Sequence, residues 1–173
     1  MADQAYAFRA KVSGEELPEF FENMKIICPS LDDLVFLCIG TDRSTGDSLG
    51  PLTGTFLKEA GCPHVIGTLE APCDAGNLQE RLAQVPPGKT VVAIDACLGR
   101  PASVGYYQVS NQPLLPGASV GKRLPSVGDF SIAAIVNADG VKKYWILQNT
   151  SLNHVVRMAK QISAAVVSVY DVS

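Results

Sequence analysis

The sequence predicts an α/β fold, a mostly parallel sheet with helices on both faces, and two observations carry that expectation. Apolar runs of strand length at 34–39, 65–69 and 91–96 show little polar alternation, as strands buried on both sides do. Between them lie segments whose apolar residues recur three and four positions apart, the pattern of helices with one packed face. Strands that alternate with helices build parallel sheets.

The elements follow in chain order. Ser13 and Glu16 have capping-box spacing, Pro18 suits a first helical turn, and Leu17, Phe20, Phe21 and Met24 form a stripe. Residues 1–30 therefore read as a helical extension that ends before Cys28-Pro29, and 31–173 as a single α/β domain. The 34–39 run is the first buried strand. Leu52, Phe56 and Ala60 line a helix near 50–60 that Gly61 stops. After the 65–69 strand, Asn77 and Glu80 have N-cap and N3 spacing for a helix over 77–85. The 91–96 strand follows. Residues 105–110 read as an antiparallel strand at an edge, 131–136 as a helix and 143–148 as a late strand. Val155, Met158, Ile162, Val166 and Val169 mark a closing helix over 153–170.

Composition narrows the function. The chain has 173 residues, 47% hydrophobic and 18% charged, with a net charge of −3. That argues against a general nucleic-acid binder, which carries a basic excess. No apolar run approaches the length of a membrane span, and no secretory leader is expected from the first twenty residues. The five cysteines, Cys28, Cys38, Cys62, Cys73 and Cys97, lack ligand-type spacing and read as reduced, mostly buried thiols of a cytoplasmic protein.

Ligands of open parallel sheets bind beyond the carboxyl ends of the strands. Two acidic residues fall there. Asp47 lies in the long polar loop 40–51 after the first strand, and Asp95 lies near the end of the apolar run of the third. Asp47 could cap the following helix, and Asp95 could anchor a loop. Together they suit proton transfer, because neighbouring carboxylates raise each other's pKa and can divide acid and base roles. They could equally hold a divalent cation. Asp42, Arg43 and Ser44 of the first loop, with Arg100, Ser119 and Lys122, are candidate substrate-binding residues. The first loop lacks both the phosphate-loop ending and the dinucleotide fingerprint. His64 and His154 lack the position of a base, Cys97 reads as a buried thiol, and Asp129 as a helix cap.

The motif C-I-G-T-D-R-S-T-G-D-S-L-G-P, with A-I-D-A-C-L-G-R and the stretch 120–132, resembles the YyaC family of sporulation proteins. The family is similar to the spore germination protease and, more distantly, to hydrogenase maturation endopeptidases. The resemblance implies a three-layer α/β/α sandwich, described as phosphorylase/hydrolase-like, and a protease-like domain. It places Asp47 and Asp95 at the two essential aspartates of the spore protease, and residues 116–121 at one of its loops. The implied function is a sporulation-associated peptidase in the mother cell or forespore cytoplasm, acting on a protein or peptide substrate. A non-catalytic assembly or ligand-binding protein with the same fold is the alternative. The hydrogenase endopeptidases bind the nickel of their substrate through the two acidic positions and a later histidine; no histidine lies between His64 and His154 here. No bound transition metal and no cofactor are therefore expected. No nucleic-acid or membrane partner is expected, and a homo-oligomer is left open.

Overall fold

The computed structural model describes residues 7–117 and 124–172. Six strands form one sheet: β1 (Arg9–Val12), β2 (Leu34–Cys38), β3 (Val65–Ile66), β4 (Thr90–Gly99), β5 (Tyr107–Ser110) and β6 (Phe130–Ala138), in the order β1-β5-β6-β4-β2-β3. The pairs β2–β3, β2–β4 and β4–β6 are parallel; β5 runs antiparallel to β6, and β1 antiparallel to β5. Among the described residues there are five α-helices: α1 (Leu17–Ile27), α2 (Leu49–Ala60), α3 (Leu78–Leu82), α4 (Lys143–Gln148) and α5 (Leu152–Tyr170).

The pleat divides each central strand between two cores. Leu34, Phe36 and Cys38 of β2, with Val92, Ile94 and Ala96 of β4, face the larger core beneath α1, α2 and α5. Leu37 and Ala93 face a smaller core with Ile39, Cys73, Leu78 and Val127. Helices thus cover both faces, but the second layer is thin, because α3 is a single short helix completed by loops. Asp95 follows Ala93 by two residues and so belongs to this thinly covered face. That is why a charged side chain in the middle of β4 meets a cleft instead of a helix.

The central α/β reading holds, and β2 and β4 are neighbours as expected. Several elements differ. Residues 131–136 are not a helix but the body of β6, buried on both faces and paired on both edges. The run Ser-Ile-Ala-Ala-Ile-Val has no polar face, so its periodicity could not separate a strand from a buried helix. The opposite correction applies to 143–148, which is α4. Only Leu147 is buried, while Tyr144 and Trp145 are each 60% exposed. One buried side chain suits a surface turn, and location outweighs the strand preference of these residues.

The second strand is shorter than 65–69: β3 stops at Ile66, and Gly67 turns the chain at φ +96°. The third helix spans only 78–82 of the expected 77–85. Residues 107–110 are antiparallel but not at an edge, because β1, which the sequence did not reveal, covers their outer side. Asp129 caps no helix. Its Oδ2 accepts from the Val91 N–H at 2.8 Å and locks the start of β6 to β4.

The first 30 residues join the sheet through β1 and the main core through Leu17, Phe20, Phe21 and Met24. Glu16 accepts from the Ser13 N–H at 3.0 Å, as the capping box requires. Tyr107 ties the far side together. Its fully buried hydroxyl donates to the Met158 carbonyl at 2.8 Å and reaches the Gln161 side-chain amide at 2.7 Å. Tyr107→Phe should therefore cost about 1–2 kcal/mol, since it strips buried acceptors of their partner. Chemical denaturation would show this as a lower midpoint with unchanged slope.

Candidate functional site

The site grows from the carboxyl end of β2 and the middle of β4, because β4 continues past Asp95 to Gly99 instead of ending near it as expected. The chain leaves β2 through Gly40, at φ +151°, with the Gly40 N–H donating to the Cys73 carbonyl at 2.9 Å. It then folds back so that the Thr41 N–H donates to the Asp47 carbonyl at 3.1 Å. A 3-10 turn over Gly46–Ser48 leads into α2. Gly46 lies against Leu147 of α4, where an added Cβ would fall 2.8 Å from Leu147 Cδ2. The loop is thereby pinned between the sheet and α4, and Asp47 is half-buried. Asp47 is not the helix cap: Ser48 holds that place, without a side-chain cap bond.

Asp47 and Asp95 line one cleft of about 430 Å³. Asp95 is 9% exposed, and its Oδ1 accepts from the Ala96 N–H at 2.8 Å. Burial pushes its carboxyl well above the ordinary value. The Asp47 charge pushes the same way, while the Ala96 and Gly117 N–H groups oppose it. Burial also raises Asp47, and the nearby Ser44 hydroxyl opposes that shift. Among the described residues neither carboxylate has an ion-pair partner; the pairs found are Lys89–Asp33 and Lys143–Asp139.

The cleft is also lined by Thr41, Arg43, Ser44, Asp74, Leu124 and Tyr144. Arg43 and Ser44 are thus gathered at the site as the sequence suggested. Asp42 and Arg100 are exposed and lie outside the described lining. Ser119 and Lys122 lie outside the described residues, as do 118–121 of the 116–121 loop.

Asp74 and Tyr144 were missed. Asp74 Oδ1 accepts from the Gly76 and Asn77 N–H groups at 2.9 and 3.2 Å. Asn77 caps nothing with its side chain; its Oδ1 accepts from the Asp74 N–H at 2.9 Å and its Nδ2 donates to the Pro72 carbonyl at 3.0 Å. The Asp-Ala-Gly-Asn turn, one strand over from the first loop, was the available signal. Tyr144 was hidden by the mistaken strand.

The other chemically interesting groups are poorly placed. Burial pushes the Cys97 thiol up to about 12, with Asp95 and Asp139 adding to it, so the reactive thiolate is scarce at neutral pH. All five cysteines are free, and four are buried. Burial lowers the pKa of His154, with Arg157 adding to the effect, and neither histidine lines the cleft. Among the described residues no group of three or more His, Cys, Asp or Glu side chains could hold a metal ion.

A family model described as "Protein of unknown function (DUF1256)" matches residues 9–165. The chain is 49% identical over 135 residues to the "Uncharacterized protein YyaC" of Bacillus subtilis (strain 168), covering 75% of this chain and 66% of that protein. The expected resemblance to YyaC is therefore confirmed. Among solved structures, the [NiFe] hydrogenase maturation protease HycI from Thermococcus kodakarensis KOD1 aligns over 77% of this chain and 91% of its own, at 19% identity and a TM-score of 0.44.

Proposed function

The chain belongs to the DUF1256 family, whose function is unknown, and from the cleft we propose that it hydrolyses peptide bonds with Asp47 and Asp95 as an acid–base pair. The observation that carries this reading is the buried Asp95 sharing a cleft with Asp47, with no ion-pair partner for either among the described residues. An unpaired buried carboxyl is a cost that folding alone does not reward. Two carboxyls so placed ionise apart, so one holds a proton while the other is charged.

The reaction then needs no covalent intermediate. One carboxylate takes a proton from water as its oxygen attacks the carbonyl carbon. The other gives a proton to the amide nitrogen as the C–N bond breaks. Arg43 and Ser44 at the cleft, with Asp42 and Arg100 beyond it, would bind substrate. The substrate is a protein or peptide of the sporulating cell, and the setting is the cytoplasm of mother cell or forespore. Support for that setting is the likeness of the two motifs to the spore proteins. No helix among the described residues is long and apolar enough to cross a membrane.

The test is a cleavage screen on spore and forespore protein extracts with the wild type, Asp47→Asn and Asp95→Asn. The expected result is one or more substrates cut by the wild type and spared by both variants, with rates down at least about 100-fold. Equal patterns for all three proteins would return the chain to a non-catalytic binding role.

A further inference from the structure

Ser44 is a cleft residue next to the acid–base pair. It is 3% exposed and lines the cleft. Its Oγ makes no hydrogen bond of regular geometry among the described residues, yet it lies close enough to the Asp47 carboxyl to favour its charged form. A buried hydroxyl with its donor unspent calls for an explanation.

The two carboxyls have unlike surroundings. Asp95 projects from the rigid centre of the sheet and is almost fully covered. Asp47 sits on a turn, half-buried, beside Ser44. From this asymmetry we propose that Ser44 is a positioning residue whose hydroxyl donates to the Asp47 carboxylate and so fixes the roles, Asp47 as the base toward water and Asp95 as the acid toward the leaving amine. The names base and acid rest on the hydrolytic reading; the contact between Ser44 and Asp47 does not.

The step balances. Water loses a proton to Asp47 and forms the new C–O bond; Asp95 gives its proton to nitrogen as the C–N bond breaks. One proton then returns from Asp47 to Asp95 before the next turnover. The other charged and titratable groups around the pair are Arg43, Asp74 and Tyr144 in the cleft, Cys73, and Cys97, which itself feels Asp139. Ser44 is the side chain whose nearby hydroxyl opposes the upward shift of Asp47.

Carbon-13 NMR of aspartate-labelled protein tests this without a substrate. The two Cγ signals are assigned by their loss in Asp47→Asn and Asp95→Asn, and followed with pH in the wild type, Ser44→Ala and Ser44→Thr. The expected result is that Asp47 ionises at lower pH than Asp95 in the wild type. The Asp47 midpoint should move up in Ser44→Ala and stay near the wild-type position in Ser44→Thr, which keeps the hydroxyl. An Asp47 midpoint unmoved by Ser44→Ala, or Asp95 ionising first, overturns the proposal even if peptides are cleaved. The expected titrations without any cleavage in the extract screen uphold the contact and sink the hydrolytic reading alone.

Discussion

Asp95→Asn should be more stable than the wild type at neutral pH and should lose hydrolytic turnover. A carboxyl whose folded pKa is raised binds its proton more tightly in the native chain than in the unfolded one. Its favourable share of stability is intact below the unfolded value of about 3.9 and is lost as pH rises from there through the folded pKa. Burial is the main cause for Asp95 and the Asp47 charge the second. The loss accumulates at about 1.4 kcal/mol for each pH unit crossed inside that window. Asparagine has the same shape, carries no charge, and its Oδ1 can keep the 2.8 Å contact with the Ala96 N–H. The variant should therefore match the wild type near pH 4 and exceed it increasingly toward pH 7. For a chain of this length each kcal/mol gained corresponds to about 2–4 °C. Asp47→Asn should follow with the same sign and a smaller gap, since Asp47 is less buried and the Ser44 hydroxyl opposes its shift. Thermal melts of both variants across this pH range check the sign. A loss of stability at neutral pH would make Asp95 an anchor for the backbone at Ala96 and Gly117, and the pair would then be architecture.

The same pair shows what was legible in the sequence. Asp47 and Asp95 stood out because each interrupts a pattern: one sits in an overlong loop after a buried strand, the other inside an apolar run. Patterns of that kind are local, and local patterns also predicted β2, β4, α2 and α5. What stayed hidden depends on partners far along the chain. The strand β1 carries the alternating Arg-Ala-Lys-Val of an ordinary surface segment and becomes a strand by pairing with Tyr107–Ser110. Residues 131–136 and 143–148 exchanged their expected structures because both are short apolar runs, for which position in the fold decides between helix and strand. The second error concealed Tyr144, while Asp74 was passed over in an Asp-Ala-Gly-Asn turn. A turn residue gives no strand or helix period to stand out from, while the two carboxyls on strongly patterned elements did stand out.

Gly40→Ala should be among the most damaging single-methyl additions to this chain, and it should act on the site as well as on the fold. Gly40 stands where β2 turns into the first loop. A Cβ there would lie 2.0 Å from the Asp47 carbonyl oxygen and 2.9 Å from Pro51 Cδ, at a φ of +151°. The contact with Asp47 is to backbone, so no rotamer change relieves it. The loop must move, and with it the 3.1 Å bond from the Thr41 N–H to the Asp47 carbonyl. The comparison is Gly88→Ala. Gly88 also has a positive φ, +81°, but nothing lies within 4 Å of an added Cβ. Gly88→Ala therefore carries the conformational cost alone, about 1–2 kcal/mol. Gly40→Ala adds a main-chain collision and should cost more than about 3 kcal/mol, or prevent accumulation of folded protein. If it folds, the Asp47 Cγ resonance should be displaced in Gly40→Ala and unmoved in Gly88→Ala. Denaturant midpoints for the two variants, read beside that resonance, separate strain from collision. Equal losses with an undisturbed Asp47 would mean that the loop yields freely at Gly40, and that the position of the carboxylate is set by α4 and α2 instead.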